Sequence, residues 1–145
     1  ERGLPFKSFS EASLHPNGSV NMAYDAIGKS IYAAFLPRWL KFFPINQIHV
    51  VNGDQLIRKP WRELQKVELF LGLKPEIKES MFTYSSKKKF YCINQRGREK
   101  CLMKTKGRSH PKVPATVVKV LRKFYAPYNY QFYNMVGKDF GWPEE

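Results

Sequence analysis

The residues best suited to chemistry lie between Tyr91 and Pro111. Gly107 lets the backbone approach an anion closely, and successive N–H groups around a glycine form a concave oxyanion cradle. Beside it, Lys106 supplies a point charge and Arg108 a bidentate fork for phosphate or sulfate oxygens. Phe90 and Tyr91 offer ring faces on which a nucleobase stacks. The pattern suits a nucleotide bearing several phosphates, although a solvated basic loop with one glycine has the same composition. Other chemistry is thinly represented. Cys92, Cys101 and His110 are too widely spaced for close-paired zinc ligands and lack an evident fourth partner, so no metal is expected. His15 and His49 stand alone, and His49 falls in an apolar run where a packed imidazole is expected. No Walker-type glycine loop, Ser/His/Asp grouping or paired carboxylates stand out. The sequence therefore offers a donor-binding surface with no catalytic residue among its own side chains.

Charge points to the same segment. The chain has 145 residues, a net charge of +13 and 43% hydrophobic residues, the composition of one folded domain. From Lys87 to Lys112 ten basic residues face one acid, Glu99, while the remainder is nearly balanced. A domain this basic meets a polyanion: nucleic acid, an anionic membrane or a sulfated glycan. Lys104, within this stretch, is a candidate substrate contact. No apolar run reaches the roughly 20 residues needed to span a bilayer, so no transmembrane segment is expected in this chain. The chain opens on Glu1, which predicts a processed or partial product. Asn17-Gly18-Ser19 is a glycosylation sequon and favours a secretory compartment.

These residues must be positioned by elements the periodicity predicts. Residues 1–20 read as an irregular lead-in. Ile27, Ile31, Phe35 and Trp39 step by four, predicting a helix over 22–43 that Pro37 kinks or divides and Pro44 ends. Gln47 to Val51 reads as a buried strand. Asp54 is suited to cap a short helix through Ile57. Pro60 opens the next helix, with Trp61, Leu64, Val67, Phe70 and Leu71 on its buried face and Gly72 at its end. Helix–strand–helix in this order predicts an α/β layer with a parallel strand. Strands follow over 82–84, 90–93 and 100–103, turning near Ser85-Ser86-Lys87 and Arg96-Gly97-Arg98. Cys92 and Cys101 would then come within bridging distance, although two free thiols are also compatible with the spacing. A helix over 117–125, a break at Pro127 and a short helix over 128–136 complete the chain.

Several stretches resemble the heparan sulfate glucosaminyl 3-O-sulfotransferases, over about residues 20–142. They are Ser30-Ile31-Tyr32 leading to Trp39-Leu40-Lys41-Phe42-Phe43-Pro44, then Ile48 to Ile57, Phe70 to Leu73 and Lys89-Phe90-Tyr91-Cys92. The most specific is Cys101-Leu102 followed by Lys106-Gly107-Arg108-x-His110-Pro111, and Phe132-Tyr133 with Gly137, Phe140 and Trp142 extends the match. The resemblance implies a partial P-loop-kinase-like α/β sulfotransferase domain: a parallel sheet with flanking helices plus a small disulfide-stapled antiparallel hairpin. It implies 3′-phosphoadenosine 5′-phosphosulfate (PAPS) as sulfuryl donor and the 3-hydroxyl of glucosamine in heparan sulfate as acceptor. It pairs Cys92 with Cys101, puts Tyr91 on the nucleotide, and wraps Lys106, Gly107, Arg108, Ser109 and His110 around its phosphates. The setting implied is the Golgi lumen or secretion, for a monomer. In the family, the phosphosulfate loop, the glutamate base and an Arg and a Ser that bind the 3′-phosphate lie in the N-terminal half. No counterpart is found in these residues. Residues 1–145 are thus expected to be the C-terminal part of one domain, with little transfer activity alone. The rival readings are a non-catalytic module that binds polyanions by charge, and a nucleic-acid binder. A Cys92–Cys101 bridge would disfavour the second.

Overall fold

The computed structural model describes residues 8–95, 97–102 and 112–144. The chain divides into two compact units, one from residues 1–45 and 111–145, the other from 46–110.

The first unit is helical. The lead-in, expected to be irregular, carries helix α1 (Phe9–Ser13). Ser8 caps it: its Oγ accepts the Glu11 N–H, and the Glu11 carboxylate accepts the Ser8 N–H at 2.8 Å. This reciprocal pairing satisfies two otherwise orphaned amides and sustains a very short helix. The helix expected over 22–43 is two, α2 (Asp25–Lys29) and α3 (Tyr32–Leu40). The break falls at Ser30-Ile31. The Ser30 Oγ donates to the Ala26 carbonyl at 2.8 Å, and Ile31 leaves the helical region at ψ 83°. Pro37 lies inside α3 without dividing it, at the cost of the N–H that the Ala33 carbonyl would have accepted.

The long C-terminal helix corrects a second expectation. Helix α6 (Ala115–Val136) runs unbroken through Pro127. Contacts on both sides of the proline hold it. Tyr125 Oη donates to the Ile27 carbonyl at 3.0 Å, and Val117, Phe132 and Tyr133 are buried as α6 packs on α3. Such tertiary contacts override a propensity penalty of about 3 kcal/mol. The helix stops at Gly137, whose φ of 65° suits a residue without Cβ, and the Lys138 N–H closes back on the Tyr133 carbonyl at 3.1 Å. The tail then folds over the helix end, stacking Trp142 on Phe132 with ring centroids 5.9 Å apart.

The second unit holds the sheet. Residues 45–47 form a 3-10 turn, and residues 48–51, expected as a parallel strand, carry no ladder. A parallel strand exists only through hydrogen bonds to a neighbour, and the only sheet among the described residues is antiparallel and three-stranded. Helix α4 (Gly53–Arg58) is capped by Asn52, which accepts the Gln55 N–H at 3.0 Å, rather than by Asp54. Helix α5 (Pro60–Phe70) begins on Pro60. Its buried residues are Pro60, Trp61, Glu63 and Glu68, whereas Phe70 and Leu71 are exposed. Each glutamate is buried because it accepts backbone N–H groups: Glu63 from Asn52 at 3.0 Å, Glu68 from Glu76 at 3.0 Å and Ile77 at 3.1 Å. A carboxylate so used organises the chain on either side of the helix. Gly72 ends α5 with φ 67°.

Strands β1 (Phe82–Ser85), β2 (Phe90–Gln95) and β3 (Arg98–Lys100) pair antiparallel in sequence order. The register sets Tyr84 opposite Tyr91 and Ile93 opposite Lys100. Continuing it one step brings Cys92 opposite Cys101.

Candidate functional site

Tyr91 occupies the second position of β2. Its ring meets Tyr84 across the strands at 5.3 Å and Trp61 of α5 edge-on at 5.4 Å. Trp61 is buried and also touches Phe82 at 6.2 Å. Edge-to-face contacts of this kind add about 0.5–1.5 kcal/mol beyond the area they bury. They fix the ring of Tyr91 from the helix side and the sheet side together.

One residue on, Cys92 is 2% exposed and disulfide-bonded to Cys101, with Cα atoms 4.5 Å apart. That separation is typical of a directly opposed, non-hydrogen-bonded pair in an antiparallel ladder. The bridge thus extends the β2–β3 pairing past the end of β3. Glu99 lies close to both sulfurs. Sulfurs consumed in a bridge offer no thiolate, so this trio is left with one carboxylate, too few ligands to hold a metal ion.

A cavity of about 790 Å³ opens beside the bridge. Leu56, Ile57 and Pro60 line it together with Tyr91, Cys92 and Leu102. Its size falls in the range of small-ligand pockets, and its predominantly apolar wall suits a flat ring or a nucleoside. Leu102 is the residue from which the Lys106-Gly107-Arg108 stretch departs. Lys104, Lys106, Gly107, Arg108, Ser109 and His110 lie outside the described residues. Of the expected donor contacts, Tyr91 alone is placed, on the cavity wall next to the start of that stretch.

The β1–β2 connection gives a structural setting to Lys87 and Lys88, which the sequence offered only as charge, and to Lys89 beside them. Lys88 Nζ donates to the Leu102 carbonyl at 3.0 Å and sits 5.8 Å from the Phe90 ring centre. Residues 86–89 form the connection, with the Lys88 and Lys89 N–H groups both donating to the Ser85 carbonyl at 3.1 and 2.7 Å. Lys89 re-enters the ladder at φ 57°, the only non-glycine residue with positive φ among the described residues. A left-handed lysine costs roughly 1 kcal/mol relative to glycine. Three successive lysines were the signal available in sequence; the backbone angle was not.

Asn17 is exposed in the turn joining Leu14 to Val20, and its Oδ1 accepts from the Ser19 N–H at 3.0 Å and from Ser19 Oγ at 2.7 Å. His49 packs on Phe70 at 5.1 Å between ring centres, and its buried Nε2 has no hydrogen-bond partner among the described residues.

A ring-bearing strand, a disulfide staple and an apolar cavity, followed in sequence by the Lys106-Gly107-Arg108 stretch, make up the candidate site. The sequence profile of the Sulfotransferase domain matches residues 22–136, and the chain belongs to that family. Within it, the chain is 44% identical over 140 residues to human "Heparan sulfate glucosamine 3-O-sulfotransferase 5", covering 95% of this chain and 40% of that protein. It is 41% identical over 144 residues to mouse "Heparan sulfate glucosamine 3-O-sulfotransferase 6", covering 97% and 42% respectively. It is 44% identical over 128 residues to human "Heparan sulfate glucosamine 3-O-sulfotransferase 3B1", covering 86% and 33%. The chain therefore spans about two fifths or less of the length of these curated relatives.

Proposed function

We propose that the chain is the donor-gripping part of a heparan sulfate glucosamine 3-O-sulfotransferase. The observation that carries this reading is the placement of Tyr91 and the Cys92–Cys101 staple on the wall of an apolar cavity, with Cys101 shortly before Lys104 and Lys106 in sequence. The names of its relatives point to the same acceptor. In this reading PAPS, when bound, supplies the sulfuryl group. Tyr91 and the cavity hold the nucleoside, and Lys106 to His110 neutralise and orient its phosphates, with Arg108 able to bind two oxygens at once. Lys104 approaches the acceptor. Positioning and charge neutralisation of this kind are the protein's main contribution to in-line transfer of a group carrying several oxygens.

The finer assignments follow from the same reading. The domain belongs to a P-loop-kinase-like α/β plan, whose parallel sheet Ile48 to Val51 would join only when a neighbouring strand of the transferase pairs with it. The phosphosulfate loop and the general base are supplied by residues of the transferase other than 1–145. The protein is a monomer of the Golgi lumen or of secretions, with heparan sulfate as its polymer partner, and Asn17 carries a glycan. The bridge favours this compartment over a nucleic-acid role.

Calorimetry with adenosine 3′,5′-bisphosphate tests the assignment. The chain should bind it, and Lys106→Ala and Arg108→Ala should each weaken binding about tenfold or more, as expected for a lost charge-assisted contact. Equal uptake of unrelated dianions, unaffected by either change, would replace the transferase reading by a module that binds through charge alone.

A further inference from the structure

We infer that the β1–β2 turn, residues 86–89, is a docking site for the sulfate groups of a polysaccharide chain. Lys87 and Lys89 supply the contacting ammonium groups, and Lys88 anchors the turn. The inference rests on the glycan reading above and extends it to residues outside the donor site.

Three observations converge on the turn. The first is conformational: Lys89 stands at φ 57°, where glycine or asparagine would sit without strain. Strain kept at a particular side chain points to a use for that side chain. The second is electrostatic. Lys87 and Lys89 are exposed, and among the described residues neither ammonium has a carboxylate within ion-pairing distance. Lys88 differs from them, because its Nζ is committed to the Leu102 carbonyl at 3.0 Å. The third is placement. β3 runs back antiparallel to β2, so Leu102 returns to the end of the sheet where this turn lies. The turn is thus tied to the first residues of the stretch bearing Lys104, Lys106 and Arg108. A polymer engaged there would meet Lys87 and Lys89 beside Leu102, the residue that precedes the basic stretch in sequence.

The ligand class follows from the groups. Ammonium ions on flexible stems act as point charges and suit isolated sulfates on a flexible polymer, whereas planar bidentate recognition would call for arginine. The disulfide places this surface in an oxidising compartment, where sulfated glycans are met and nucleic acids are not.

The test uses the chain with its bridge intact and a size-defined heparin oligosaccharide as probe. Lys89→Gly should raise the unfolding midpoint by about 3 °C, because it relieves the left-handed strain, while weakening oligosaccharide binding. The pair Lys87→Ala with Lys89→Gly should weaken binding about tenfold at physiological salt and lower the slope of log affinity against log salt by about two. Lys89→Arg, which keeps the charge and the strain, should retain binding, a rescue that a purely structural role would not give. Affinity for adenosine 3′,5′-bisphosphate should be unchanged in all three variants. Wild-type-like oligosaccharide affinity and salt slope in the double variant would overturn the docking site and leave the transferase reading standing. Preference of the wild-type turn for anionic phospholipid vesicles over the oligosaccharide would also overturn it. A wild-type chain that binds neither probe would remove the function reading, and this inference with it.

Discussion

Removing the Cys92–Cys101 bridge tests whether the antiparallel sheet holds itself together or depends on its staple. The bridge closes a loop with a sequence separation of 9. In the chain-entropy model, closing a loop of about ten residues removes roughly 9 cal/mol/K from the unfolded ensemble, or about 2.7 kcal/mol at 25 °C. Little else ties β3 down: the strand covers only Arg98–Lys100, and all three residues are exposed. The change to make is Cys92→Ala with Cys101→Ala, because a serine at a position 2% exposed would add a buried hydroxyl. Hydrogen exchange read by mass spectrometry reports on β2 and β3 locally, which separates the sheet from the helical unit. The expected result is exchange of the β2–β3 amides about a hundredfold faster, the equivalent of 2.7 kcal/mol at 1.4 kcal/mol per decade. Adenosine 3′,5′-bisphosphate affinity should fall as well, because the stretch leaving Leu102 would no longer start from a fixed point. Exchange within threefold of the bridged protein would refute the reasoning. The sheet would then be held by the Trp61–Tyr91–Tyr84 rings, with the bridge contributing almost nothing.

Other consequences can be checked more briefly. Pro127→Ala restores a helix N–H in α6 and should raise the thermal midpoint, with a gain of up to about 3 kcal/mol reduced by the larger entropy of the unfolded chain. Glu63→Ala strips the Asn52 N–H of its acceptor at a site 1% exposed and should cost about 2–4 kcal/mol in denaturant unfolding. Burial raises the Tyr125 phenol and, likewise, that of Tyr133, while the hydrogen bond to Glu144 raises Tyr130. Phenols whose folded pKa is raised ionise first in the unfolded chain, so their contribution is complete below the unfolded value near 10 and is lost as pH climbs through the folded values. The thermal midpoint should therefore drop between about pH 9 and 11, less steeply in Tyr125→Phe, and absorbance at about 295 nm should show a late tyrosinate fraction. Expressed in a secretory host, the chain should lose mobility through a glycan on Asn17, and both Asn17→Gln and Ser19→Ala should abolish the shift on a gel.

How much of this could be read from the sequence depended on how local the deciding interaction was. Pro60 at the start of α5 and Gly72 and Gly137 at helix ends depend on backbone rules within one turn, and the residues alone predicted them. Strands β1 and β2 were legible because their aromatic and β-branched runs are short and bounded by turn residues, whereas the third strand, expected over 100–103, is the polar run Arg98–Lys100, set by its pairing with β2. Pro127 misled because the contacts that carry α6 through it come from Ile27, about a hundred positions away in sequence. The buried face of α5 misled for a related reason. Glu63 and Glu68 count as polar in any periodicity, yet they are buried by amides of Asn52, Glu76 and Ile77. The run Ile48 to Val51 has the composition of a strand, but composition cannot supply the neighbour that a parallel ladder requires. At the candidate site, residue types and order were legible, whereas the left-handed backbone of Lys89 and the Lys88–Leu102 tie were not.

Charge gives the staple and the turn a common purpose. Unit charges about 10 Å apart in water repel by only about 0.4 kcal/mol per pair, less in salt, but ten basic residues within 87–112 contribute many such pairs against one acid. Repulsion of this kind favours spreading the segment apart. The Cys92–Cys101 bond, the Lys88–Leu102 hydrogen bond and the Tyr91–Trp61 contact oppose it at successive points along that segment. A bound polyanion would cancel the repulsion while the staples remain, so ligand stabilisation should be concentrated in this unit. At a hundredfold excess over the dissociation constant the gain is about 2.7 kcal/mol, comparable with the bridge itself. A scaffold prepaid against its own charge need not reorganise when the anion arrives, which is the condition under which fixed charges bind and orient a donor most effectively.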